Sequence, residues 1–281
     1  MRQIRNMTFD DERALFGIHD AEISGCEFSG ISGGESALKE CGGIKVSGCT
    51  FKLKYPLWNT ENGEITGSRL NETCRAALWY DNNIRINNCV LNGIKALREC
   101  ESVSITDCRI RSLEFGWKCR GIRLDSCSVV SEYPFFMSRD IDIDKLELAG
   151  KYAFQYVENT AVNSSEINSN DAFWHAKNVT VCDSVIRSDC FAWYSENLRL
   201  VRCRIIGTQP LCYAKGLILE ECDMSECDLA FEYSDVRADM TGRIQSVKNP
   251  LSGYIRADSI GEVIVDNNRR ANSDCEIICR K

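Results

Sequence analysis

DAFWHAKNVTVCDSVIRSDCFAWYSENLRLVRCRIIG, residues 171–207, contains one pattern twice. Shifted by nineteen residues, Phe173 falls on Ala192, Trp174 on Trp193, His175 on Tyr194, Asn178 on Asn197, Val179 on Leu198, Val181 on Leu200, Ser184 on Cys203 and Ile186 on Ile205. Outward from this stretch the period holds at Ile84, Val103, Ile122, Ile141, Thr160, Val179, Leu198, Leu217 and Val236, and it extends back through Gly63 and Ile44 to Ala21. About twelve coils are expected between Ala21 and Val236.

The apolar residues of each unit alternate with polar ones, as in Ile122-Arg123-Leu124 and Leu198-Arg199-Leu200, which is strand spacing. Nineteen residues are too few for a two-helix repeat, and the asparagine-bearing leucine-rich consensus is missing. The pattern predicts an all-β, right-handed parallel β-helix, each unit forming one coil. Asn62, Asn83, Asn159, Asn178 and Asn197 precede the marker position, with Gly43, Gly121 and Gly216 as substitutes. Asn and Gly tolerate left-handed turns, so one bend per coil falls there. A single domain is expected over 1–281, with 1–20 as an N-terminal cap, 21–241 as coils and 242–281 as a C-terminal cap and polar tail.

Seventeen cysteines would suit a disulfide framework in a small secreted domain. Here Cys26, Cys49, Cys89, Cys108, Cys127, Cys203 and Cys222 share one ladder position, and Cys41, Cys100 and Cys119 share another. Cysteines so placed act as small buried hydrophobes. No CxxC pair exists, and no metal or cofactor is expected. Free thiols in this number, no apolar run of membrane-spanning length and no apolar stretch near the start predict a soluble cytoplasmic protein without a membrane partner. A net charge of -7 and scattered basic residues argue against nucleic acid.

Two coils carry extra residues, since Cys26 to Cys49 is twenty-three and Ser68 to Cys89 is twenty-one. The insertions, SGISGGES after Phe28 and NETCRA after Leu70, fall in the same segment of the coil, and solenoid insertions gather on one face, often the binding face.

All five tryptophans occupy one position, five before the marker: Lys39, Trp58, Trp79, Arg98, Trp117, Phe136, Gln155, Trp174, Trp193, Cys212 and Phe231. The next row is Glu40, Asn59, Tyr80, Glu99, Lys118, Met137, Tyr156, His175, Tyr194, Tyr213 and Glu232. The first row follows an inward residue and is expected on the outside, where exposed indoles call for a cover. Three readings stay open: ring stacking with Arg98 between Trp79 and Trp117, self-association into a homo-oligomer, and a platform for a glycan or other small ligand. The ligand-binding set would be Trp58, Trp79, Tyr80, Arg98, Trp117, Tyr156, Trp174, His175, Trp193, Tyr194, Tyr213 and Glu232. For catalysis, Asp81 and Glu99 on adjacent coils with Lys118 form the one compact ionisable cluster of the stripe, and partial burial of Asp81 would raise its pKa towards that of an acid catalyst. The plainer alternative is a surface ion pair between Glu99 and Lys118. Asp125 and Asp144, with Glu147 and Glu166 further round, offer oxygen ligands for Ca²⁺, although like charges also crowd solvated turns. His19 and His175 lie too far apart in sequence for a multi-histidine site.

SALKECGGIKVSGCTF (36–51), YPLWN (55–59), DAFWHAKNVTVCDS (171–184) and LAFEYS (229–234) resemble an uncharacterised bacterial family of single-stranded right-handed parallel β-helices in the pectin-lyase-like superfold. The resemblance runs from ERALF at 12–16 to about Ile264 and implies the fold, without an activity. Members of the wider superfold bind or cleave polysaccharides, so a polysaccharide lyase or glycoside hydrolase is the enzymatic alternative. This sequence lacks the NxD, DD, HG and RxK series of polygalacturonases and the Asp-plus-Arg calcium site of pectate lyases.

Overall fold

The computed structural model describes residues 1–266 and 274–280. Residues 267–273 and 281, which belong to the expected polar tail, lie outside the described residues. The chain is an all-β parallel β-solenoid of about fourteen coils. The coils beyond the expected twelve lie at the ends. Arg2–Arg5 pairs in parallel with Ala21–Ser24, so the stretch expected as a cap starts a coil, and Ser252–Ala257 continues from Asp235–Thr241 and is followed in register by Asp274–Cys279. No helix among the described residues is long and apolar enough to cross a membrane.

The chain comprises two compact units, Met1–Glu147 and Leu148–Lys281. In the first, the residue two after the marker forms the inward ladder Ile4, Ile23, Val46, Ile65, Ile86, Ile105 and Leu124, each in register with the next. A second ladder runs Phe9, Phe28, Phe51, Leu70, Leu91, Ile110 and Val129. Its rings stack at 5.1 Å (Phe9–Phe28) and 4.8 Å (Phe28–Phe51), the spacing of adjacent strands. In the second unit, Val162, Val181, Leu200, Leu219, Ala238 and Ile255 continue the first pattern, and Phe154 stacks on Phe173 at 4.6 Å.

The predicted asparagine bend is present. Asn62, Asn83, Asn159, Asn178 and Asn197 have φ between 52° and 55°, and Gly43, Gly121 and Gly216 take the same left-handed region. The asparagines also bond to one another, Asn83 Nδ2 donating to Asn62 Oδ1 at 2.7 Å, Asn178 to Asn159 at 3.2 Å and Asn197 to Asn178 at 3.0 Å. Left-handed φ extends to residues that disfavour it: Phe135, Phe154, Phe173, Leu211 and Phe231 lie between 59° and 66°. Each costs about 1–2 kcal/mol of backbone strain. All five side chains are fully buried, and burying each contributes about 1.5–3 kcal/mol, enough to hold the conformation.

The cysteine ladder is polar as well as apolar. Cys49 Sγ accepts the N–H of Cys26 at 3.4 Å, Ser68 Oγ that of Cys49 at 3.1 Å, Cys89 Sγ that of Ser68 at 3.3 Å and Cys108 Sγ that of Cys89 at 3.3 Å. Each thiol also donates back to a carbonyl two residues earlier, Cys49 to Ser47 O at 3.4 Å and Cys89 to Asn87 O at 3.2 Å. All seventeen cysteines are free, and burial pushes the thiols of Cys49 and Cys74 up to about 11.

Candidate functional site

In the second unit the outward row is a continuous column of rings. Tyr156 stacks on His175 at 4.8 Å and 9°, His175 on Tyr194 at 5.0 Å and 10°, Tyr194 on Tyr213 at 5.0 Å and 15°, and Tyr213 meets Tyr233 at 5.7 Å and 39°. With both faces of His175 and Tyr194 covered by neighbours, the surface that Tyr194 (43% exposed) presents to solvent is ring edge and hydroxyl, and Tyr156 is 44% exposed. Two residues on, Glu158, Lys177, Glu196 and Lys215 form a flanking row of alternating sign, with Lys177 Nζ 3.4 Å from Glu196 Oε2.

The tryptophan row behind this column is half-buried. Trp174 and Trp193 are parallel to within 2° at 5.4 Å, and their Nε1 atoms donate to Cys190 O (2.6 Å) and Gln209 O (2.7 Å). Gln155 plays the same part with Nε2 to Asp171 O at 3.0 Å. The indoles therefore tie one coil to the bend of the next, and their faces are taken up by each other. Phe231, expected in this row, is fully buried. An extra residue between Cys222 and Glu226 shifts the register, so Phe231 takes the inward place matching Leu211, Glu232 enters the Trp row and Tyr233 continues the column. Glu232 there holds Lys248 at 2.9 Å.

In the first unit Lys39 Nζ sits 3.8 Å over Trp58, which stacks on Trp79 at 5.0 Å and 16°. Tyr80 covers Trp79 at 5.2 Å, and Tyr55 tilts against both indoles. Arg98 lies 5.8 Å over Trp79 as expected, whereas the cation over Trp117 is Lys95, at 5.5 Å. Trp117 Nε1 donates to Tyr133 O at 2.7 Å. Sequence reasoning missed Tyr55, Lys95 and Tyr133, although all three stand eight before the marker and so share a row.

The ionisable cluster comes together only in part. Asp81 is 1% exposed, deeper than the partial burial expected. Burial pushes its carboxyl well above the usual range, against the Thr60 N–H, which donates to Oδ1 at 2.7 Å. Oδ2 accepts nothing. Asp81 belongs to the ladder Cys41, Thr60, Asp81, Cys100, Cys119 and Ser138, whose other members donate to carbonyls: Cys41 to Leu15 O at 3.4 Å, Thr60 to Leu38 O at 2.7 Å, Cys100 to Leu78 O at 3.4 Å. Burial thus favours the neutral carboxyl in a ladder of neutral side chains, and it leaves this acid out of reach of substrate. Glu99 is drawn the other way. Burial raises its carboxyl, but the Tyr80 hydroxyl and the Arg98 guanidinium, 3.0 Å away, outweigh that and hold it below the ordinary range. Lys118 is exposed, and its expected ion pair with Glu99 is replaced by Arg98.

Of the acidic set, Asp125 Oδ1 accepts the Ser126 hydroxyl at 2.8 Å and Asp144 pairs with Lys145 at 3.2 Å. Glu147 ends the first unit and Glu166 lies in the second. No three His, Cys, Asp or Glu among the described residues are grouped so as to hold a metal. His19 and His175 fall in different units.

A family model described as protein of unknown function (DUF3737) matches residues 2–278. No curated protein matches the chain. Among solved structures, the mannuronan C-5 epimerase AlgE4 A-module of Azotobacter vinelandii is similar at 9% identity and a TM-score of 0.43, over 85% of this chain and 89% of that one. PfbA, a surface adhesin of Streptococcus pneumoniae, is similar at 10% and 0.34, over 92% and 73%. The catalytic domain of a GH87 alpha-1,3-glucanase is similar at 10% and 0.30, over 99% and 64%.

Proposed function

We propose, for a chain that belongs to the DUF3737 family of proteins of unknown function, that it is a non-catalytic binding solenoid whose second unit takes a neutral, hydroxyl-rich glycan along the ring column Tyr156, His175, Tyr194 and Tyr213. The observation that carries this reading is the column itself: faces mutually covered, edges and hydroxyls outward, repeated once per coil. A row of this kind addresses a linear ligand through hydrogen bonds at its edges more readily than through apolar stacking on ring faces. The flanking row of alternating sign carries no net charge to recruit an acidic polymer, which favours a neutral one. Catalysis is disfavoured by the burial of Asp81 and by the engagement of Glu99 with Arg98. Seventeen free thiols fit a reducing compartment.

Trp193 lies 6.3 Å from Tyr194 and 5.4 Å from Tyr213, so indole fluorescence reports on the column. Titration with a panel of neutral oligosaccharides should give a saturable change, weakened roughly two- to tenfold in Tyr194→Phe, the equivalent of one net hydrogen bond, with the unfolding midpoint unchanged. Silence across the neutral panel would overturn the reading. So would a dimer in light scattering that Tyr194→Phe leaves intact and Trp174→Ala with Trp193→Ala abolishes, since the row would then be a self-association surface.

A further inference from the structure

The two coils of the first unit that exceed nineteen residues build a second candidate site, independent of the ring column. Residues 30–34 and 71–75 rise from coils on either side of Lys52, Leu53 and Lys54, and together they line a cleft of about 480 Å³, walled by Gly30 and Gly34 on one side and Thr73 on the other. A volume of this size fits a small ligand.

Its charges are uneven. Lys52 is held by Glu27 at 2.9 Å. Lys54 in the lining and Arg75 on the next coil, whose carbonyl accepts the Tyr55 N–H at 2.9 Å, are both exposed and enter no ion pair among the described residues. Glu35 is the single acid of the lining. The acids on the two loops' neighbours are engaged: Asp10 accepts the Ser32 hydroxyl at 3.1 Å, and Glu72 accepts the Asn92 amide at 2.9 Å.

A separate observation comes from the backbone. Gly34 is buried, and a Cβ there would stand 2.6 Å from both Asp10 O and Ser29 O, so no other residue fits. Its N–H donates to no acceptor among the described residues, whereas the nearby Gly33 N–H is bonded to Gly30 O at 3.0 Å. Buried backbone donors without partners are rare, and a glycine loop with a free N–H that lines the same cleft as an unpaired ammonium is an arrangement that takes an oxyanion.

We propose that this cleft binds a small oxyanion, a phosphate or carboxylate group, between the Gly34 N–H and the Lys54 ammonium, with Arg75 adding charge from the neighbouring coil. The test is an amide NMR titration of the full chain with inorganic phosphate and, separately, with citrate. A saturable shift of the Gly34 amide with either anion is expected, and the anion that saturates at lower concentration identifies the chemistry as phosphate or carboxylate. Lys54→Gln should weaken binding at least tenfold, the loss of one charge-assisted hydrogen bond, while Lys54→Arg keeps it and Lys151→Gln, at an exposed lysine of the second unit, leaves it unchanged. A Gly34 amide that does not move with either anion would overturn the proposal, as would an equal weakening in Lys151→Gln, which would mark the effect as general screening.

Discussion

Replacing Asn178 by alanine and by glycine should invert the stability order expected of a β-strand. Asn178 stands at φ 53°, donates to Asn159 Oδ1 at 3.2 Å and accepts from Asn197 Nδ2 at 3.0 Å. Both substitutions remove the two exposed side-chain bonds, worth together about 1 kcal/mol at the low end of the usual range. Alanine adds the steric cost of Cβ in the left-handed region, about 1–2 kcal/mol, for a total of roughly 2–3 kcal/mol. Glycine has no such cost but loses about 0.5–1 kcal/mol through the greater freedom of its unfolded state. Asn178→Gly should therefore be more stable than Asn178→Ala by about 0.75 kcal/mol, the difference between the midpoints of those two ranges. Equilibrium urea unfolding with an unchanged slope measures it. Thr180, in the same strand and with extended backbone, is the control: Thr180→Ala should be more stable than Thr180→Gly. If alanine also outranks glycine at 178, the backbone bend is not what selects asparagine there, and the reasoning behind the whole row fails.

Asp81→Asn should stabilise the chain at neutral pH. The folded-state carboxyl is raised by burial, so the stability linked to its proton is complete below the unfolded pKa, about 3.9, and is lost as pH rises from there towards the folded value. The variant keeps an acceptor for the Thr60 N–H and gains a permanent donor, so urea midpoints of the two proteins should be close at pH 4 and diverge in favour of Asn by pH 7.5. Parallel profiles would show that the carboxyl ionises freely in the fold. Thiol titration of the native chain should reach at most Cys182, Cys190, Cys275 and Cys279, the four cysteines that are not buried, with the remaining thirteen of seventeen reacting only on unfolding. Fast native labelling of Cys89 or Cys108 would mean that the ladder opens locally.

What the period made legible was the set of positions that recur once per coil. The inward aliphatic ladders, the asparagine bend and the outward placement of the Trp row all follow from a constant offset to the marker, because parallel strands in register stack like on like. The chemistry of a ladder was less accessible. Cysteine at the position of Cys49 and Cys89 reads as a hydrophobe by composition, yet Ser68, Ser165 and Ser184 stand in the same column. A small apolar residue alone would not alternate with serine. The shared property is a side-chain acceptor one coil above a backbone N–H, seen again where Ser184 Oγ takes the Ser165 N–H at 3.0 Å. Asp81 follows the same logic, its Oδ1 accepting the Thr60 N–H of the adjacent coil at 2.7 Å.

Two features were hidden for a different reason. The coil from Leu217 to Val236 has the right length, so its period gives no sign that one residue is added near Glu226 and one removed before Asp235. Compensating changes cancel in the count, and only the pairing of Arg204 with Asp223 but Ile206 with Glu226 separates them. That slip moves Phe231 inside and puts Tyr233 at the end of the ring column. The left-handed Phe135, Phe154 and Phe173 are hidden because residue preference points the opposite way: a bulky side chain is a poor choice at φ near 60° when the backbone alone is considered. The phenylalanines are retained because the tight bend is also where the coil must fill its corner, and a ring stacked at 4.6 Å on its neighbour in the next coil fills it. At Phe173 and Ala192 this left-handed corner is followed by the half-buried Trp174 and Trp193, which lie parallel, and by His175 and Tyr194, which lie face to face. The ring column repeats once per coil because these bends do, at ring separations of 4.8–5.0 Å from Tyr156 to Tyr213.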